Sequence, residues 1–279
     1  MQKITNKFNI SETPTSIVSD LTNKEAKKLV KANIKELKEL QKMLYAQDKY
    51  GILLIFQAMD TAGKDGAIKH VISGINPQGT VVKSFKKPTD EELSHDFLWR
   101  CHKNLPERGQ IGVFNRSYYE DVTIVKVHNL LEKQSIPSEF ITDNVWNERY
   151  EDINNFESYI HRNGYIIMKF FLHISKDEQK NRLIARIDDK SKNWKFSDAD
   201  IKERGYWDDY QDAYEDMINN TNKEYAPWYV ISADNKWLAR KSISDAIVNK
   251  MKTLNLKYPT VDSMGKLLEC KELLMSEKD

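Results

Sequence analysis

Apolar residues fall into two rhythms along this chain. Five short stretches are mostly apolar: Ile52–Phe56, Thr80–Phe85, Ile111–Phe114, Tyr165–Ile174 and Trp228–Ser232. Such runs, rich in β-branched residues, suit strands buried on both faces. Between them apolar residues recur at steps of three and four, the spacing of one helix face. The first helical segment opens on Thr22-Asn23-Lys24-Glu25, a capping-box pattern, and carries Val30, Ile34, Leu37, Leu40 and Leu44 as one stripe. That stripe predicts packing on the sheet or on a partner subunit, and the lysines opposite it read as a solvated face. Thr89-Asp90-Glu91-Glu92 repeats the box and predicts a helix through about Lys103. Further helices are predicted over Ser138–Arg162, after Ile174, and over 199–218 and 236–255. Strands alternating with helices imply an α/β fold: five parallel strands covered on both faces in three layers.

Chemistry gathers at the ends of the strands. After Phe56 comes a small-residue loop, Gln57-Ala58-Met59-Asp60-Thr61-Ala62-Gly63-Lys64-Asp65-Gly66, and then the start of a helix. Strand, Gly-Lys loop and helix make the layout of a phosphate-binding P-loop, in which backbone N–H groups and a helix N-terminus face an anion. The match is imperfect. Ala58 stands where the first glycine belongs, and Asp65 replaces the usual Ser/Thr. Ala62, Gly63, Lys64, Asp65 and Gly66 are the expected phosphate contacts. Asp60 in such a loop calls for a neutralising cation, or serves as a helix cap. Lys83, Lys86 and Lys87 close the second strand, where a ligand crevice opens in α/β sheets, and favour an anion over the alternative of a solvated loop. The third strand ends in Asn115-Arg116, where phosphotransferases of this layout place a metal-facing acid. Arg116 suits a phosphoryl clamp or an ion pair with Glu120 or Asp121. The charged, aromatic segment Asp188–Ser197, just beyond Arg182 and Arg186, suits a lid. The organisation expected is an arm (1–21), one P-loop kinase-like domain (22–258, with a helical lid at about 187–218) and a tail (259–279).

Composition narrows the choices. With 43 basic and 42 acidic residues no global field attracts nucleic acid or membrane, so a polyanion site must be a local cluster. Cys101 and Cys270, far apart, suit a reducing compartment and form no metal motif. The first twenty residues are polar and no apolar run approaches spanning length, so a cytoplasmic protein is expected. His95, His102 and His128 lack metal-ligand spacing and read as structural. Trp194 in the lid segment is the one tryptophan expected beside a base.

Beyond single motifs, M-D-T-A-G-K-D-G-A-I-K-H, G-x-N-P-Q-G, S-F-K-x-P and E-E-L-x-H-D-F-L-W-R follow one another up to Arg100. L-P-E-R-G-x-I-G-V-F-N-R-S-Y-Y-E-D-V follows at 105–122, then N-W-K-F-S at 193–197, A-P-W-Y-V-I at 226–231 and A-D-N-K-W at 233–237. In this order, over about residues 40–255, the chain resembles the polyphosphate kinase 2 family. The resemblance implies a thymidylate kinase-like fold and phosphoryl transfer between inorganic polyphosphate and purine nucleotides, with Mg²⁺ or Mn²⁺ in its place. It implies Asp60 as the metal-associated acid, Lys64 as the phosphate lysine, Arg116 as a second-motif arginine and Arg186 as the arginine at the foot of the lid. Glu120 then stands as a second metal-side group, and Asn115, at the strand end, is a neutral oxygen ligand at best. The N-R-S-x-Y-E form resembles the class III subgroup, which phosphorylates both nucleoside mono- and diphosphates. A homo-oligomer, dimer or tetramer, is also implied, with the 22–47 helix as a candidate contact. Two other readings stand beside it: an ATP-dependent nucleoside monophosphate kinase, and a non-catalytic module binding polyanion or nucleic acid.

Overall fold

The computed structural model describes residues 2–4, 7–191, 193–260 and 264–276; Lys192 of the lid segment lies outside them, as do parts of the arm and tail. In chain order the elements are β1 (Gln2–Lys3), α1 (Asn23–Gln47), β2 (Gly51–Ala58), α2 (Lys64–Ile72), β3 (Thr80–Ser84), α3 (Asp90–Leu93), α4 (Trp99–His102) and β4 (Ile111–Asn115). They continue with α5 (Ile124–Val127), α6 (Val145–Arg162), β5 (Tyr165–His173), α7 (Lys176–Asp188), α8 (Asp198–Gly205), α9 (Trp207–Thr221), β6 (Trp228–Ser232), α10 (Lys236–Lys252) and α11 (Met264–Ser276).

All eight residues of β2 are buried, because helices cover the sheet on both sides. α1, α2 and α10 pack together in one layer, and α6 and α9 in the other. Strand order is β1-β6-β5-β2-β4-β3, with β2 through β6 parallel as expected. β1 is an addition: Gln2 and Lys3 pair antiparallel with Val230 and Tyr229. The described part of the arm turns at Ile10–Thr13 and is stitched to the body. Ile4, Phe8 and Ile10 join the main core, and Asn219 brackets Phe8 by accepting from its N–H at 2.8 Å and donating to its carbonyl at 2.9 Å.

Three helix expectations change, and a helix is added. The box at Thr89 and Glu92 forms, yet α3 ends at Leu93, because the Asp96 carboxylate accepts from Leu98 and Trp99 N–H and starts a new turn. The helix expected from Ser138 begins at Val145, after a separate 3₁₀ turn at Ser138–Phe140. The one expected over 199–218 breaks at Tyr206 into α8 and α9. The weakly patterned tail forms α11, whose described side chains are exposed. α1 meets its expectation: Thr22 and Glu25 make the reciprocal box, and Val30, Leu37, Leu40 and Leu44 are buried within the chain itself. No helix among the described residues is long and apolar enough to cross a membrane.

Candidate active site

The chain runs from β2 to one edge of the sheet and later resumes on the other side, so a crevice opens beyond the C-terminal ends of β2, β4 and their neighbours. A cavity of about 610 Å³ fills it. Its floor is the loop from Asp60 to Gly66. Gly63 caps α2 with φ +102°, a conformation open to glycine, and offers no side chain to the first turn. The first-turn N–H groups of α2 therefore point outward without an intrahelical partner, ready for an anion. Arg182 secures the loop from behind. Its Nη1 donates to the carbonyls of Thr61 (3.2 Å) and Ala62 (2.8 Å), and its Nη2 to those of Ala233 (2.6 Å) and Asp234 (2.9 Å). Gln179 adds a bond from its amide nitrogen to the Asp60 carbonyl at 3.1 Å.

Lys64 is buried apart from its outlet to the cavity, and among the described residues its ammonium makes no hydrogen bond or ion pair. Burial lowers its pKa, helped by nearby Arg116 and opposed by Asp60, Glu120 and Asp65. Arg116 reaches the same cavity from beyond β4. Its backbone is held at φ +64°, an uncommon conformation for a residue with a Cβ, by a bond from its N–H to the Phe56 carbonyl at 3.1 Å. Its Nη2 donates to Asp60 at 3.0 Å and its Nη1 to Glu120 at 3.3 Å. Glu120 foremost, with Asp60 in support, keeps the guanidinium protonated against the opposing effect of burial. The Gln57 amide, turned so that both its atoms are paired, donates to Glu120 at 2.8 Å and accepts from Ser117.

Asp60, Ala62, Gly63, Lys64, Asp65 and Gly66 all line the cavity, as do Lys86, Lys87, Asn115, Arg116 and Arg186. Lys83 stays on β3 opposite Phe114 and is absent from the lining, while Glu120 lines the neighbouring recess behind Arg116. Ala58, the departure from the P-loop pattern, ends β2 in register with Leu172. Arg186 is tied to α8 through Asp200 at 3.1 Å. Trp194 is exposed and donates its indole N–H to Ser191. His95 packs on Trp99, His102 on Phe156, and His128 bonds Glu203 at 2.9 Å. Arg182, Gln179 and Asp200 were missed as site residues; the only sequence signal was the spacing of Arg182 and Arg186, one helical turn apart.

Among the described residues no group of three or more His, Cys, Asp or Glu is placed to hold a metal ion. The donor set nevertheless fits Mg²⁺, which takes one or two carboxylates and completes its shell with phosphate and water. Asp60 engages only one carboxylate oxygen in the pair with Arg116, and Asn115 Oδ1 is buried without a partner at the cavity wall. Asn115 is held by its amide nitrogen, which donates to Asp65 at 2.8 Å.

A glycine-capped helix N-terminus, a lysine and an arginine converging on one cavity suit phosphoryl groups, as in sites of the P-loop type. The comparisons make it specific. Residues 20–259 match the model of polyphosphate kinase 2. The chain is 49% identical over 274 residues to an ADP-polyphosphate phosphotransferase of Rhodopseudomonas palustris, covering 96% of this chain and 95% of that one. It is 45% identical to an AMP/ADP-polyphosphate phosphotransferase of Meiothermus ruber, over 81% of this chain and 80% of that one. The crystal structure of polyphosphate kinase 2 from Arthrobacter aurescens superposes with a TM-score of 0.90 at 41% identity, covering 98% of this chain and 95% of that one. The chain belongs to the polyphosphate kinase 2 family.

Proposed function

We propose that this chain moves the terminal phosphoryl group of inorganic polyphosphate to AMP and to ADP, giving ADP and ATP, reversibly and with a divalent metal, Mg²⁺ or Mn²⁺. One observation carries the reading: Lys64, without a protein partner among the described residues, and Arg116 converge over an open α2 N-terminus in one cavity. An acceptor phosphate oxygen attacks the terminal phosphorus; the new P–O bond forms as the bond to the chain breaks, leaving polyphosphate one unit shorter. The two reactants repel each other, so positioning and charge neutralisation do most of the catalysis. Lys64 and the loop N–H groups hold the phosphoryl group in transfer. Arg116, its plane fixed by Asp60 and Glu120, spreads over the developing charge, and Arg186 joins when the lid segment carries it inward. Asp60, with Asn115 or Glu120 in support, would hold the metal, whose charge would offset that of the phosphates. Lys86 and Lys87 receive the incoming polyanion.

A second, mostly apolar cavity of about 400 Å³ shares Phe85, Lys86, Lys87 and Arg116 with the first and suits the nucleoside of the acceptor. The two phosphotransferase relatives differ in the acceptors they are named for. The class III form of Asn115 and Glu120 favours both acceptors here. Purified protein with AMP, long-chain polyphosphate and Mg²⁺ should yield ADP and then ATP, resolved by chromatography. Inert AMP beside active ADP would remove the double-acceptor reading. Transfer to AMP only when ATP is the donor would favour a nucleoside monophosphate kinase.

A further inference from the structure

The solvent ridge of α1 is chemically uniform. Lys24, Lys28, Lys31, Lys35, Lys38 and Lys42 follow one another at alternating steps of four and three, and all are exposed. At 1.5 Å of rise per residue the row extends about 27 Å along the helix. Acidic residues are kept to its flank, where Glu39 pairs with Lys42 at 2.9 Å and Glu36 turns to Lys252 at 2.6 Å. The buried stripe on the opposite face needs no cations, so helix packing does not account for the row. In a chain whose charges nearly cancel, this is a segregated field.

The row also connects with the active site. α1 is fastened to α10 by Asn33, which donates to Ser244 at 2.9 Å and to Asp245 at 2.6 Å. At the N-terminal end of both helices the Lys27 ammonium lies 5.4 Å from the centre of the Trp237 ring, and the Arg240 guanidinium stands 4.4 Å from it. Arg240 Nη2 in turn sits 3.1 Å from where a Cβ on Gly66 would stand, and Gly66 lines the catalytic cavity. Cations therefore step from the P-loop through Arg240 and Lys27 onto the ridge.

Building on the phosphotransfer reading above, we propose that this ridge is an outer docking track for the distal part of a long polyphosphate chain. Ridge and ligand match in chemistry. Polyphosphate is a linear, flexible polyanion with charge on every unit and nothing else to read. The ridge offers flexible point charges in a line, without a groove, an aromatic platform or the bidentate forks that would fix register. Loose, salt-dependent attraction lets a polyanion slide, as a substrate that shortens at each turnover must.

The test replaces Lys24, Lys28, Lys31 and Lys35 together by Gln, which keeps helix propensity at exposed positions. ADP phosphorylation is measured with two donors, one short enough to lie within the cavity and one of long chain, each counted as chain ends. For the long donor, KM should rise about tenfold, from several weak exposed charge contacts acting together, and its salt dependence should flatten. The short donor should change less than about twofold, because it lies within the cavity and meets only the salt-screened field of the exposed ridge. Equal effects on both donors, or none on either, would overturn the ridge while leaving the phosphotransfer reading standing. If the wild type uses neither donor, the reading and the ridge fall together. Weakened binding of a single-stranded oligonucleotide with unchanged long-donor kinetics would give the ridge to nucleic acid instead.

Discussion

The segment Arg116–Glu120 lies between two ion-pair networks that share residue types and little else. At its ends, Arg116 bridges Asp60 and Glu120 at 3.0 and 3.3 Å, with roughly a third of the arginine side chain still open to the cavity. Between them, Tyr118 and Tyr119 both donate to Glu157 Oε1, at 2.9 and 2.8 Å, in a fully buried cluster. There Lys169 donates to Glu157 Oε2 at 2.7 Å, to the Tyr119 hydroxyl at 2.9 Å and to the Thr221 carbonyl at 2.7 Å. All three ammonium protons are used, so the inner network has nothing left to offer a ligand. The outer one holds its cation in place and leaves it accessible. Saturation makes an ion pair structural; exposure to a cavity makes it available for chemistry.

Removing each cation should separate the two roles. Arg116→Ala should lower the phosphotransfer rate by about 10²–10⁴, the loss typical of a transition-state charge contact. Its unfolding free energy should fall by only about 1 kcal/mol, the worth of a partly exposed, solvent-screened pair. Kinetics together with denaturant melts of one preparation check both halves, and near-normal turnover would remove Arg116 from the mechanism. Lys169→Met should do the reverse in stability, costing about 3–5 kcal/mol because Glu157 is left charged and buried. Adding Glu157→Gln should restore much of that, since the amide oxygen still accepts from the tyrosines. A double variant as unstable as Lys169→Met would show that the charge is not the cause.

Asp121 sharpens the contrast from the inner side. Burial raises its pKa from 3.8 to about 6, against the opposing pull of Arg100 and Arg149 and a bond from Gln134, and its Oδ2 has no partner. The folded state therefore holds this proton more tightly than the unfolded chain. Its contribution to stability is complete below about pH 4 and is lost as pH rises through 6. The loss is at most about 3 kcal/mol. Asp121→Asn should flatten the wild-type slope over that window in urea unfolding curves taken at several pH values.

The two networks were not equally legible. The outer one could be anticipated because its members sit at strand ends in motif order, where α/β folds place ligands. The Asp60–Arg116 pair spans two adjacent parallel strands, β2 and β4, whose adjacency only the sheet order decided. The inner one was hidden. Lys169 stands in Ile166-Ile167-Met168-Lys169-Phe170-Phe171-Leu172, a run that reads as an apolar strand, although a lysine at its centre had to find a carboxylate. Its partner Glu157 lies on α6 among polar residues that look solvent-facing. Arg182 was seen on its helix without a role, because its acceptors are backbone carbonyls of two distant loops and leave no mark in sequence.

Local rules were enough for what depends on neighbours along the chain. Strand hydrophobicity, the capping boxes of Thr22 and Thr89, the Gly-Lys loop and the ordered family motifs each express short-range sterics or pattern. The tertiary structure alone decided where helices stop, since α3 ends on the Asp96 side chain and α9 begins anew after Tyr206. It alone folded the arm onto β6, buried Lys169 against Glu157 and anchored the P-loop from Arg182. Each of these joins groups far apart in sequence, and desolvation, which sets their energies, exists only once the chain has closed around them.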